Sequence, residues 1–303
     1  MFAEIPKLRP YTLLIHGGAG NITELSAERE RLLYTGLEEA FAAGEKVLEG
    51  GGSALDAVCA AVCVMEENEG FNCGRGATLN ADAVVEHDAA VMFEGHSGAV
   101  CGSTHARHPV LFARAVLERS PHVFLAMPPD SLLEEWDLER VANDYFVTAE
   151  RAEQLKRVQA AEAIAEPHGT VGAVAIDRNG HLAAATSTGG MENKKHGRVG
   201  DSPIIGAGTW AADGPHGVAI SATGWGEMFI EGAVAHEIQA RVRYLGQPLA
   251  AAGEGTLSDE VGTRGGYGGV IIMGSDGQAA AAWNSTHMIS AWRTESGVHT
   301  QLA

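Results

Sequence analysis

Basic side chains are scarce in this chain. Only 21 Lys and Arg stand against 39 Asp and Glu, for a net charge of −18 over 303 residues. A phosphate backbone or an anionic membrane surface attracts the opposite sign, so nucleic acid and membrane are not expected as partners and a small-molecule substrate is. Long apolar runs are missing as well, and no stretch approaches the ~18 residues of a membrane span. Cysteine is rare, at Cys59, Cys63, Cys73 and Cys101, with no C-x-x-C pair. Cys59 and Cys63, four apart in an apolar helical pattern, read as buried free thiols. The Met1 segment shows no basic start followed by an apolar core and a cleavage site, so a reduced, cytoplasmic protein is expected. His105 and His108 lie three apart without further residues at ligand spacing, which gives no case for a catalytic metal.

Glycine, by contrast, is abundant: 39 residues, about 13%, roughly twice the usual share. The glycines cluster between apolar segments, as tight turns and close backbone approaches do. Tyr11–His16 reads as a strand running into Gly17-Gly18-Ala19-Gly20. Those glycines lack the spacing and the Gly-Lys-Ser/Thr ending of a phosphate loop. Ser26 caps a helix to about Leu48, with Glu28 and Glu30 in its first turn, and Ser53 caps a second from Ala54 to about Glu67. A glycine-punctuated loop at 71–80 precedes strands at 84–93 and 98–102 and a helix from Pro109 to Glu118. Residues 120–166 are polar and read as helical or irregular, the best candidate for a mobile segment.

After that segment the pattern changes. Strands at 170–176 and 181–186 flank Asp177-Arg178-Asn179-Gly180, whose Asn-Gly is a strong hairpin signal. Strands at 204–211 and 217–222 follow, then one long amphipathic helix from Glu227 to about Leu245. A hairpin at 269–273 and 278–283 and a last strand at 289–293 complete the reading. Antiparallel hairpins with interspersed helices describe an α+β fold of stacked sheets covered by helices, and no doubly wound parallel sheet.

The chemistry gathers around His168-Gly169-Thr170, where a polar helical segment closed by Pro167 meets a core strand. Cleavage before Thr170 would give one residue both a hydroxyl and a free amine, a known nucleophile–base pair whose amine has an ordinary pKa of about 8. Gly169 tolerates the strained backbone of such a cut. A plain structural join is the alternative. Thr188, at a strand end beside Gly189-Gly190, can hydrogen-bond the nucleophile or form a polar turn. The Thr223-Gly224-Trp225-Gly226-Glu227 turn offers backbone N–H groups for an oxyanion or a carboxylate, or is an ordinary glycine turn. Arg198 and Asp201 match the two charges of an amino-acid zwitterion, or pair with each other at the surface.

Taken together, HGGAG at 16–20, GGSALDAV at 51–58, FNCGRGATLN at 71–80, HGTVGAVAID at 168–177, ATSTGGM at 185–191, GRVGDSPIIGAG at 197–208 and TGWGE at 223–227 carry a family likeness. The chain resembles the plant-type L-asparaginases, or isoaspartyl aminopeptidases, of the N-terminal-nucleophile hydrolases. The resemblance implies an αββα sandwich of mainly antiparallel sheets in one domain, residues 1–303. It also implies cleavage between Gly169 and Thr170 into an α subunit, 1–169, and a β subunit, 170–303, assembled as a dimer of αβ heterodimers. It assigns Thr170 as nucleophile, Thr188 as its hydrogen-bonding partner, and Thr223 with the Gly224 N–H as oxyanion donors. Arg198 would take the substrate α-carboxylate and Asp201 its α-amine, beside Gly224 and Gly226. Asn72 would orient the threonine. No organic cofactor is implied; a structural sodium ion is, on the loop of Met65, Glu66 and Phe71, bound largely by backbone carbonyls.

Three departures from the family pattern stand out. Trp225 occupies a usually small or polar position, Phe93 stands where an acidic residue is common, and the 67–70 loop lacks a proline. The expected activity is hydrolysis of β-aspartyl amides, in isoaspartyl dipeptides and L-asparagine, through an acyl-threonine. Gly169 favours this over a glycosylasparaginase, which usually carries aspartate there. Another N-terminal-nucleophile amidohydrolase, or a non-enzymatic amino-acid-binding protein using Arg198 and Asp201, are the alternatives.

Overall fold

A computed structural model describes residues 1–21, 25–161 and 169–302. The first half runs β1 (Phe2–Ile5), β2 (Thr12–Gly20), α1 (Ala27–Glu49), α2 (Ala54–Glu67), β3 (His87–Phe93), β4 (His96–Ser103), α3 (Pro109–Arg119), β5 (Phe124–Ala126), α4 (Ser131–Glu135) and α5 (Ala149–Ala160). The second runs β6 (Val171–Ile176), β7 (Leu182–Thr188), β8 (Thr209–Ala212), β9 (Val218–Gly224), α6 (Gly226–Glu231), α7 (Val234–Leu245), α8 (Leu249–Thr256), β10 (Gly268–Gly274), β11 (Ala279–Trp283), β12 (His287–Thr294) and β13 (Gly297–Gln301).

Both early caps form as their side chains require. The Ser26 hydroxyl accepts from Arg29 N at 3.2 Å, and that of Ser53 from Asp56 N at 3.1 Å. Strand alternation then builds the layers. On β2, Leu13 and Ile15 face Leu37, Phe41, Val58 and Val62 of α1 and α2. Leu14, between them, points the other way and joins Val174, Ile271 and Met273 in a second core between the sheets. A third core packs Ile220, Val270 and Ile272 against Phe229, Ile238 and Leu257. Two sheets therefore lie face to face with helices outside each, an αββα sandwich of the N-terminal-nucleophile type. The larger is ordered β13-β12-β2-β6-β7-β3-β4-β5 and the smaller β1-β11-β10-β9-β8. Among the described residues, the named strands all pair antiparallel except β4 with β5.

Several expectations change. β2 continues through the glycines to Gly20, pairing with β12 across a register shift at Ile289/Ser290. The strand expected at 84–93 begins only at His87, and the one expected at 204–211 only at Thr209, because 204–208 is turned back by bonds to Asp201 O. The long helix from Glu227 is broken: Ala233 adopts φ +44° and separates α6 from α7. The polar segment after 120 contains β5 and α5, and α5 ends at Ala160. Its remainder, including Glu166, Pro167 and His168, lies outside the described residues.

Candidate active site

Thr170 immediately precedes β6, a central strand of the larger sheet, and is 5% exposed. The Val171↔Ser187 pairing of β6 with β7 sets Thr170 opposite Thr188, and Thr188 in turn faces Asp88 on β3. The N–H of Thr170 donates to Thr223 Oγ1 at 3.0 Å, and the Ala19 N–H donates to the same oxygen at 3.1 Å. With both acceptor positions filled, the hydroxyl hydrogen of Thr223 is the part left to donate. Thr223 is fully buried near the end of β9, and Gly224 beside it adopts φ +151°, which a Cβ would oppose.

The remaining threonine stands slightly apart. Thr188 Oγ1 accepts from Gly190 N at 3.0 Å, whereas the hydroxyl in contact with Thr170 Oγ1 is that of Ser202, at 3.4 Å. Asn72 is buried and braces the same turn: its Nδ2 donates to Gly190 O at 2.7 Å, and its Oδ1 accepts from Thr78 N at 2.8 Å. Its backbone carbonyl also accepts from Gly189 N at 3.0 Å. Asn72 thus fixes the Gly189-Gly190 corner that carries Thr188.

Arg198 and Asp201 do not pair with each other as surface charges. Arg198 makes a two-pronged bond to Glu227, Nε to Oε1 at 3.0 Å and NH2 to Oε2 at 2.9 Å, which sets the guanidinium plane. Asp201 is buried, and its Oδ2 has no hydrogen-bond partner. Burial pushes its carboxyl from 3.8 to about 7, against the pull of Arg198. Gly226 lies between the two. A Cβ on it would sit 2.9 Å from Asp201 Oδ1 and 3.1 Å from Arg198 NH2, so the missing side chain keeps the gap open. An ammonium satisfies Asp201, and a carboxylate satisfies the free edge of Arg198.

Three contributors escaped the sequence reading. Ser202 follows Asp201 inside GRVGDSPIIGAG at 197–208, where a small serine after a charged residue carries no signal. Glu227 was visible in TGWGE, but nothing local joins it to Arg198, 29 residues earlier. His16 was read as the last residue of a strand and the first of the HGGAG motif, with no role in the site. It is fully buried, bonds Ser221 Oγ at 2.8 Å, and is pushed down to about 3 by burial, so the ring is neutral. Ser221 continues to Thr186 at 2.8 Å and Thr186 to Thr209 at 2.7 Å, a hydroxyl chain that ties β2, β9, β7 and β8 together behind Thr170.

In the loop expected to hold sodium, the Met65 carbonyl accepts from Asn68 N at 3.2 Å and the Glu66 carbonyl from Arg75 N at 2.7 Å. Each keeps a second lone pair, so hard oxygen donors remain that suit an alkali cation. Phe71, fully buried, closes the loop next to Asn72.

A family model described as asparaginase matches residues 9–302. An isoaspartyl peptidase of Salmonella typhimurium is 44% identical over 297 residues, covering 92% of this chain and 94% of its own. One from Escherichia coli is 42% identical, with 92% of each chain covered. The isoaspartyl peptidase/L-asparaginase of Mus musculus is 36% identical over 285 residues, covering 91% of this chain and 86% of its own.

Proposed function

The chain belongs to the asparaginase family, and from that premise we propose that the Thr170 cleft performs its chemistry. The protein is a hydrolase of β-aspartyl amide bonds, in isoaspartyl dipeptides and in L-asparagine. One observation supports Thr170 as the working residue: Thr223 Oγ1 lies 3.0 Å from the very nitrogen that cleavage after Gly169 turns into an amine.

In the cut enzyme, made of 1–169 and 170–303, the Thr170 amine takes the proton from Thr170 Oγ1 as that oxygen attacks the β-carbonyl carbon. The Thr223 hydroxyl and Gly224 N–H stabilise the oxyanion, and Arg198 and Asp201 hold the α-carboxylate and α-amine. Collapse breaks the C–N bond, the proton passes to the departing amine, and a β-aspartyl ester of Thr170 remains. Water, deprotonated by the same amine, attacks the ester and releases aspartate. Thr188 and Asn72 keep Thr170 aligned, and Gly224 and Gly226 leave room for the substrate backbone. The Met65, Glu66 and Phe71 carbonyls would hold a sodium ion that braces the approach to Asn72. No helix of the described residues is long and apolar enough to cross a membrane, and the four cysteines are free. Free thiols suit the reducing, cytoplasmic setting proposed for the protein, and the proposed dimer of αβ heterodimers rests on the family resemblance alone.

Intact-mass spectrometry tests the reading together with rates on asparagine, β-aspartyl-leucine and glycosylasparagine. Expected are fragments 1–169 and 170–303, release of aspartate from the first two substrates, and a Thr170→Ala variant that stays whole and inactive. A chain that remains 303 residues long after extended incubation and releases no ammonia from asparagine overturns it.

A further inference from the structure

Outside the Thr170 cleft, α2 and the start of α3 bring together a thiol, a carboxylate and an imidazole. Cys63 and Glu66 are three apart on α2 and so share a face, and His108 sits just before Pro109 with its side chain unused as a helix cap. One ligand atom from each lies within 4.8 Å of the other two, a convergence made by no other such group among the described residues.

The surroundings fix the carboxylate and the imidazole as a metal site's outer shell does. Glu66 is fully buried, and its Oε1 accepts from Ser187 Oγ at 2.7 Å and Val110 N at 3.0 Å. Its Oε2 is thereby aimed at His108 Nδ1, 3.2 Å away. The far ring nitrogen of His108 lies 3.4 Å from Glu67 Oε1. Glu67 is itself held by Arg107 on both oxygens, at 2.8 and 3.1 Å, and by the Tyr145 hydroxyl at 2.7 Å. An imidazole backed by an anchored carboxylate, facing a carboxylate oriented by two donors, is the outer-shell pattern that orients metal ligands.

We propose that Cys63 Sγ, Glu66 Oε2 and His108 Nδ1 form a three-donor site for a borderline divalent cation of the zinc class. A thiolate with an imidazole and one carboxylate selects zinc or cobalt over sodium, magnesium or calcium, and three protein donors leave a fourth position for water. The site is separate from the backbone-carbonyl loop proposed for sodium, since it uses the Glu66 side chain rather than its carbonyl. Metal bonding releases the thiol proton of Cys63, and also the Nδ1 proton when His108 is cationic. Through Glu66 and Ser187 the ion would clamp α2 to β7, one residue from Thr188.

The test is a cobalt titration of the reduced full-length protein after chelator treatment, followed by zinc displacement and thermal melting. Expected are a thiolate-to-cobalt charge-transfer band saturating at one equivalent per chain, its loss on adding zinc, and a higher Tm with zinc. Cys63→Ser abolishes the band, Cys59→Ser on the same helix keeps it, and His108→Asn weakens cobalt binding by about tenfold or more. No band, a band that survives Cys63→Ser, or cobalt binding unchanged in His108→Asn overturns the proposal. Should Cys63→Ser fail to fold, the His108→Asn titration alone decides.

Discussion

Gly18 and Gly169 stand backbone against backbone: a Cβ built on Gly18 would lie 2.6 Å from Gly169 Cα, and one built on Gly169 would run into Gly18 Cα. Gly18 also holds φ +126°, a conformation that L side chains rarely adopt. The strand end at 16–20 is therefore shaped to receive the residue before the proposed cut.

This contact predicts that Gly169→Ala slows self-cleavage without touching the nucleophile. Moving two backbones apart costs about 1–3 kcal/mol, or roughly 5- to 150-fold in rate where the strain falls on the cleaving geometry. The appearance of fragment 170–303 by mass spectrometry over time measures it. Processing at the parent rate would mean that the two glycines separate before cleavage.

Thr223→Val removes a hydroxyl that two buried N–H groups share. Thr170 N and Ala19 N lose their acceptor, for a stability cost on the order of 1–3 kcal/mol. Loss of an oxyanion donor lowers kcat by about 10²–10³. Melting and steady-state rates on β-aspartyl-leucine separate the two effects. A kcat within a few-fold of the parent would remove Thr223 from the reaction.

Asp201 gives a pH dependence with opposite signs for stability and for binding. Its carboxyl is raised from 3.8 to about 7 by burial, so protonation favours the fold. That contribution is complete below pH 3.8 and is lost as pH climbs to about 7. An ammonium ligand needs the ionised form, so KM falls as pH rises through the same range. Asp201→Asn cannot ionise, so it loses the stability step and should melt about 4 °C or more above the parent near pH 8, while KM rises at least ~100-fold. A parent Tm that is flat from acid to neutral pH at this site would remove the argument.

What could be read without the structure divides along a physical line. Ser26 and Ser53 announce α1 and α2 because a cap is a contact across three residues. Asp177–Gly180 announces its hairpin for the same reason. Strands β1, β5 and β13 gave no sign, since an edge strand is defined by its partner: Phe2 pairs with Ala282, far along the chain. The break at Ala233 was hidden because no proline marks it, and the start of α7 is tied by long-range bonds, Ala235 N to Ala207 O at 3.1 Å and His236 N to Gly206 O at 2.8 Å. In the proposed site, residue type and spacing made Thr170, Arg198 and Asp201 candidates, and the family resemblance gave them their roles. The roles of Ser202, Glu227 and His16 depend on sheet stacking that no local pattern encodes.

Trp225 is where this chain's substrate preference can be tested. Its backbone N–H bonds Tyr267 O at 3.0 Å, and the two rings meet edge to face at 6.4 Å, both half-buried beside Gly224 and Gly226. Burial pushes the Glu227 carboxyl up, and the bonds from Arg198, with a smaller one from the indole, bring it below its ordinary value. We expect these two half-buried rings to lend apolar surface to the side chain of a dipeptide leaving group, which asparagine lacks. Trp225→Thr should therefore lower kcat/KM for β-aspartyl-leucine by about 5- to 20-fold, the worth of a partly buried aromatic contact, and change asparagine less than about twofold. Equal losses on both substrates would place the indole's effect on Glu227 and the Arg198 clamp instead, because both substrates share the α-carboxylate that Arg198 holds.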